Sequence, residues 1–336
     1  MVPVVSASAY AAARQRAAFA ERVDRARIVV SGADRASYLQ GLLTNDIAAL
    51  TAGTGCYSAY LTAQGRMIAD MNAYELGDAI LLTLEAAVKD TVMARLDQFI
   101  FGEDVQLGDV TDAFAQIAVV GPEAATVVAR ALGGVDAGAL APLPEYGNTR
   151  VASAFGAAIV ARIADAGEPG FDVYVERAHA GALKSALAAA GAPEMDEATS
   201  EAFRIEAGVP KFHRDMDEET IPLEAGIESR AISFTKGCYV GQEVVIRVLH
   251  RGHGRVARRL VGIALTGAQP PASGAAIRSG EREIGEVTSS TMSPALQRPI
   301  ALGYVHRDFA AAGTAVDVDG VPGEVVTLPF VSPGRR

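Results

Sequence analysis

Apolar and polar positions alternate with a period of two through GCYSAYLTAQGRMIADMNAYELGDAILLTLE, in the segment 53–85. That period predicts strands, broken by tight turns at Gln64-Gly65 and Gly77-Asp78. Before it, residues 9–25 read as a helix of Ala, Arg and Glu, and RIVVSG as a short strand. Asp34 stands where an N-cap would, with Leu39, Leu42 and Leu43 at helical spacing behind it. Residues 86–100 predict a helix and 103–120 strand. After Gly121-Pro122 comes a helix, then a strand pair through VASAFGAAIVARIA and FDVYVE with GEPG as its turn. HAGALKSALAAAGA predicts a helix closed by glycine. Residues 199–250 are dense in charge and glycine. From Arg259 to Phe330 the period returns to two, with Gly and Pro turns, which predicts a small antiparallel barrel or sandwich. The expected fold class is α+β: a body over residues 1–250 and a β module over 251–336.

Composition narrows the picture. Half of the 336 residues are apolar, but only 6% are aromatic and Trp is absent, so Ala, Val, Leu and Ile must fill the core. The net charge of -10 argues against broad binding to nucleic acid or anionic membrane, though a local basic site is compatible with it. Two cysteines are too few for a disulfide scaffold, and a reducing cytosol is the simpler setting. No apolar run approaches the roughly 18–20 residues of a membrane span. The first residues lack a basic stretch before an apolar one, so a secretory signal is not expected. The compartment expected is the cytoplasm, or the mitochondrial matrix in a eukaryote.

Candidate chemistry gathers in FTKGCYVGQE, residues 234–243. A thiol reacts as thiolate, and its pKa falls beside cations and at helix N-termini. Lys236 supplies a cation two residues from Cys238. QEVVIRVLHR predicts a helix with Gly241 just outside it and Gln242 and Glu243 in its first turn. A buried, inert thiol fits the same residues. Cys56 has no such setting and reads as core. Downstream, Arg247, Arg251 and Arg255, with His250 and His253, form a basic segment able to hold a polyanion or a nucleic-acid backbone, or to sit salt-bridged on the surface. No complete metal site is expected, because structural zinc wants four ligands at characteristic spacings. Asp70 follows a turn and could point into a cavity, where a carboxylate orients or deprotonates an amine, or it could be an ordinary strand-edge aspartate. Glu168 has the same two readings. Arg204 and Glu206 could pair along a helix. Phosphate-cradling glycine loops, GxSxG and HExxH are all absent.

FRIEAGVPKFHRDMDEETIPLEAGI followed by FTKGCYVGQEVVIRVLHRGHGRVARRLVG is similar to the signature region of YgfZ-type folate-binding proteins. These belong to the superfamily of the glycine-cleavage T-protein, the aminomethyltransferase. The opening, VVSGADRASYLQGLLTNDIAALTAGTGCYSAYLTAQGRMIAD, resembles that superfamily's start. GEPGFDVYVE resembles its pterin-site segment and GEVTSSTMSPALQRPIALGYV its barrel. The resemblance implies a three-domain cloverleaf around a tetrahydrofolate cavity, with a C-terminal antiparallel β-barrel. It implies an accessory factor for assembly or repair of iron–sulfur clusters in client enzymes, including radical enzymes that modify tRNA, with Cys238 as key thiol and Lys236 beside it. The alternative is a folate-dependent aminomethyltransferase, methyltransferase or demethylase; whether the chain is an enzyme is left open between the two. By position, Glu168 would correspond to the pterin-contacting carboxylate. Arg204 and Gln242 are candidate folate contacts, and Asp70 falls at or beside the T-protein's catalytic aspartate. The T-protein has two aspartates where this chain reads Ala69-Asp70, which puts aminomethyl transfer in question.

Overall fold

The structure, a computed structural model, describes residues 5–165, 167–250 and 255–333. Two five-stranded antiparallel sheets and a closed six-stranded barrel carry the fold. The first sheet orders its strands Gly55–Leu61, Met67–Glu75, Ala79–Glu85, Arg25–Ser31 and Gln106–Asp109. The second orders Ala18–Glu21, Phe114–Val120, Gly170–Glu176, Gly156–Ile163 and Asn148–Ser153. The barrel runs from Arg258–Leu265 to Val321–Val326, which pair with each other and close it. An α+β fold with a C-terminal antiparallel barrel is what the alternation had implied.

Each unit has its own apolar core. Ile28, Leu82, Leu84 and Met71 lie under the first sheet. Phe19, Val119, Phe171 and Val173 pack beneath the helices Ala124–Leu132 and Ala180–Ala189 on the second. Val261, Ile263, Val287 and Val305 fill the barrel. The helix Glu197–Glu206 joins them, since its Ile205 packs with Ile300, Leu302 and Phe330 of the barrel side. Fully burying one such aliphatic side chain contributes about 1.5–3 kcal/mol. The two sheets meet where Tyr74 and Tyr174 contact edge to face, 6.4 Å between ring centres.

Two local expectations are corrected. The first helix spans Ala7–Gln15, not 9–25, and Ala18–Glu21 is a strand paired with Phe114–Val120. Local propensity favours helix there, but a free sheet edge offers four paired positions and burial of Ala18 and Phe19. Asp34 makes no cap: its carboxylate accepts from the backbone of Asp104 at 2.9 Å, and Asp104 returns the contact to Ala33 at 3.0 Å.

Candidate functional site

A cavity of about 550 Å³ opens where the first sheet, the second sheet, the helix Glu197–Glu206 and residues 209–214 converge. The first sheet supplies one polar wall. Tyr57 pairs with Asn72, Ala59 with Asp70, and Arg25 with Glu85. Met71 pairs with Leu84 and Asn72 with Thr83, so one further step along that ladder sets Asp70 beside Glu85. Cross-strand partners face the same side, and period-two alternation keeps Asp70 and Asn72 on one face. That face is the cavity's, because Tyr57, Asp70, Asn72, Glu85 and Arg25 all line it.

Within this wall the hydrogen bonding is incomplete. Tyr57 donates to Asp70 Oδ2 at 2.9 Å, while the buried Oδ1 has no donor. Burial, then the charge of Asp70, hold the Tyr57 hydroxyl well above the ordinary tyrosine range, so it stays a donor. Glu85 accepts from Arg25 at 3.0 Å. Burial raises the Glu85 carboxyl pKa; Arg25 and Lys211 oppose the shift, and Asp24 and Asp70 add to it. Arg230 lies over the Tyr57 ring, 5.3 Å from its centre, and has no carboxylate partner among the described residues. The opposite wall is better paired. Asp165 takes Arg22 in a two-pronged contact at 2.6 and 2.8 Å; burial alone would raise the carboxyl, but Arg22 lowers it below the usual range.

The residues singled out in the sequence scatter around this cavity. Asp70 and Arg204 line it. Arg204 spends all five N–H donors inside the chain: two on Glu201, one on Ser289 Oγ, and the rest on Asp215 and the carbonyl of Val209. It ties the helix to the barrel and offers no free donor in this arrangement. The helix-pairing reading of Arg204 therefore describes part of its contacts, the one with Glu201 three residues back. Glu168 is not on the cavity wall. Arg14 reaches it at 2.6 Å and also holds Glu206, which accepts from Tyr10 and Ser293 as well. One guanidinium thus serves two buried carboxylates, stacked over Phe203 at 4.6 Å.

Cys238, Lys236 and Gln242 also lie off the cavity. Lys236 spends its ammonium on the backbone. Its ammonium donates to the carbonyls of Gln40, Leu43 and Asn45 at 2.6 to 2.8 Å, and burial lowers it to about 8. The loop is therefore pinned to the first domain while Cys238 is exposed. Cys56, by contrast, is pushed up to about 12 by burial, as a core thiol should be. The helix Gln242–His250 starts as expected, and Gly241 before it has φ +86 with its backbone against the 62–65 turn. A Cβ there would meet Thr62 O at 2.6 Å, so only glycine fits. Arg247 and Arg255 are exposed; Arg251 and His253 lie outside the described residues.

Sequence reading missed Asn72, Glu85, Tyr57, Arg25 and Arg230. A signal for Asn72 was present: alternation in MIADMNAYE puts Asp70 and Asn72 on one face, whereas the place of Glu85 depends on strand register. Which face meets a cavity was not readable.

Residues 4–236 match the GCVT N-terminal domain, and residues 258–332 match the glycine cleavage T-protein C-terminal barrel domain. The chain is 33% identical to the aminomethyltransferase of Rubrobacter xylanophilus, over 95% of this chain and 84% of that one. It is 33% identical to the aminomethyltransferase of Streptomyces coelicolor, over 96% and 88%. Its fold is similar to the glycine cleavage system aminomethyltransferase T from Bartonella henselae, with a TM-score of 0.86, 24% identity and coverage of 96% and 89%.

Proposed function

The chain belongs to the glycine cleavage T-protein family, and from that premise we propose that it binds a reduced folate in its central cavity and exchanges a one-carbon unit with a substrate amine there. The observation that carries this reading is Asp70, buried in the cavity wall with Oδ1 unmatched. The volume of about 550 Å³ suits a cofactor-sized molecule, since such pockets run about 300–1,000 Å³. Tyr57, Tyr146 and Phe212 give the walls ring faces for a flat heterocycle, and Asp70 and Asn72 give acceptors for its N–H groups. A reduced folate, when bound, supplies the nitrogen that takes up or releases the one-carbon unit. The chain's own part is electrostatic and geometric. Tyr57 fixes Asp70 through Oδ2, and Oδ1 is left to accept a hydrogen bond or a proton from an amine. Asp70 is buried in the wall of this cavity, which the helix Glu197–Glu206 also lines, and so has little contact with bulk water.

The test is anaerobic calorimetry with tetrahydrofolate, followed by turnover assays with aminomethyl and methyl donors. Saturable binding with turnover that Asp70→Asn abolishes is the expected result; absence of tetrahydrofolate binding by the wild type sinks the reading.

A second reading has one observation of its own. Cys238 is exposed, on a loop that Lys236 fastens by three carbonyl contacts, within a motif similar to that of YgfZ-type proteins. In that reading the folate protein is an accessory factor for iron–sulfur client enzymes, and the presented thiol meets a partner, a small thiol or a transient cluster. A deletion strain separates the two. Loss of cluster-enzyme activity with Cys238→Ala but not with Asp70→Asn favours the accessory role, and the reverse pattern favours one-carbon transfer.

A further inference from the structure

A second cavity, of about 450 Å³, adjoins the first, and Val209, Pro210 and Arg230 line both. Its walls come from the end of the helix Glu197–Glu206, the short helix Glu228–Ala231 and the C-terminal domain. They are apolar: Leu260, Leu328 and Val331 stand there among alanines, glycines and prolines. Among the described residues that line it, Arg230 is the only one with a polar side chain. Small-molecule sites have this make-up, an apolar hollow of about 300–1,000 Å³ with few polar groups to fix orientation.

Arg230 is also the cation that the fold leaves unspent. It is half-buried, and its side chain makes no hydrogen bond or ion pair among the described residues. Its one aromatic contact is the Tyr57 ring at 5.3 Å. The other arginines and lysines of the first cavity each have a carboxylate: Arg22 has Asp165, Arg25 has Glu85, Arg204 has Asp215, Lys211 has Asp24 and Arg214 has Glu197. Burial raises the Tyr57 and Tyr146 hydroxyls, and the charge of Arg230 opposes that shift at both. The guanidinium is thus felt in the first cavity while it lines the second. A charge withdrawn from water is normally paired, so an unpaired one at the mouth of an apolar hollow marks where a ligand's opposite charge goes. One guanidinium balances one negative charge and matches the two oxygens of a carboxylate. A phosphate group carries more charge than that.

We propose that the second cavity binds a monocarboxylate with an apolar body, its acid group on Arg230 and its chain along Leu260, Leu328 and Val331. The ligand is a molecule separate from the folate, and the site needs only the apolar walls and the unpaired cation. Because Arg230 borders both cavities, the acid group stands at the boundary of the one-carbon site. Uncharged molecules of the same shape and anions without an apolar body are both poor ligands.

Ligand-observed NMR on the full chain tests this with hexanoate, butanoate, hexan-1-ol and inorganic phosphate. Hexanoate should bind saturably and at least about fivefold more tightly than butanoate, since each buried methylene is worth about fourfold. Hexan-1-ol should bind at least about tenfold more weakly than hexanoate, and phosphate more weakly still. Arg230→Met, which keeps the length and removes the charge, should bring hexanoate to the level of the alcohol, with an unchanged circular-dichroism spectrum. Leu260→Gln should erase most of the preference for hexanoate over butanoate. Alcohol or phosphate that binds as tightly as hexanoate overturns the site, and this comparison needs only the wild type. Equal hexanoate affinity in wild type and Arg230→Met overturns it as well. Saturating tetrahydrofolate separates two sources of the carboxylate: hexanoate that stays bound supports a separate ligand, and hexanoate fully displaced assigns Arg230 to the folate and overturns the proposal. Hexanoate binding in a chain that takes no tetrahydrofolate supports the site and removes the folate reading.

Discussion

Asp70→Asn should stabilise the fold while removing its activity. The substitution keeps size and shape, and the amide oxygen can still accept from Tyr57. What it removes is one of two carboxylates that the ladder, carried one step past Met71 and Leu84, sets side by side on the Met67–Glu75 and Ala79–Glu85 strands. Such partners have Cβ atoms about 4.5–5.5 Å apart. At that separation and an effective dielectric near 20, two unit charges repel by about 3 kcal/mol. Arg25, whose attraction to Asp70 as well as Glu85 is partly lost, and water in the cavity reduce this, leaving a net gain of about 1–2 kcal/mol. That corresponds to a rise of about 2–5 °C in the melting of the first domain. The sign with pH follows from Glu85, whose folded-state pKa is raised, chiefly by burial with Asp70 contributing. A raised carboxyl gives stability that is present below its unfolded value of about 4.3 and lost as pH rises through the folded value. The advantage of Asp70→Asn should therefore be full at pH 7 and shrink toward pH 4 as Glu85 takes up its proton. Urea unfolding and scanning calorimetry at both pH values measure it. A variant no more stable than wild type at pH 7, with its Tyr57 contact intact, would show that the two carboxyls do not face each other as the register demands.

Arg14→Met removes the cation that Glu168 and Glu206 share and should cost about 3–5 kcal/mol, as removing one partner of a buried ion pair does; urea unfolding reads it, and a loss under 1 kcal/mol would contradict the network. Gly241→Ala combines φ +86 with a Cβ 2.6 Å from Thr62 O, so a loss of at least about 2 kcal/mol is expected, together with faster amide exchange over 235–241. Iodoacetamide at pH 8 should label Cys238 well before Cys56, since one thiol is exposed and the other is held up to about 12; peptide mass spectrometry gives the order. Lys236→Met leaves three carbonyls without their donor and should cost about 2–3 kcal/mol, visible as earlier exchange at 40–45.

The sequence made some of this legible because the information is local. Period two from 53 to 85 and from 259 to 330 needs only neighbouring residues to be read, and both regions are strands. The start of the helix at Gln242 after Gly241 is likewise written in adjacent residues. The first helix overran its true end because Ala-rich sequence carries no stop signal, and the competing strand partner lies about a hundred residues downstream. The site residues show the same division. Asp70 could be picked out as a carboxylate next to a turn, but Arg204, read as a helix-pairing residue or a folate contact, and Lys236, read as a cation for the thiol, also meet acceptors that are remote in sequence or belong to the backbone.

By itself, then, the sequence determined the strand and helix pattern, the barrel at the C-terminal end, the placement of one thiol between two glycines, and the family resemblance that these residues carry. Only the tertiary structure decided which charges are spent and which face the cavity. Asp70 and Glu85 become neighbours through the register of two strands, Glu168 is held by Arg14 from another element, and the loop that carries the thiol is fastened by a lysine bound to backbone carbonyls. The reason is physical: a side chain's partner and its burial depend on what distant segments bring to it, and no period or spacing along one chain encodes that pairing directly.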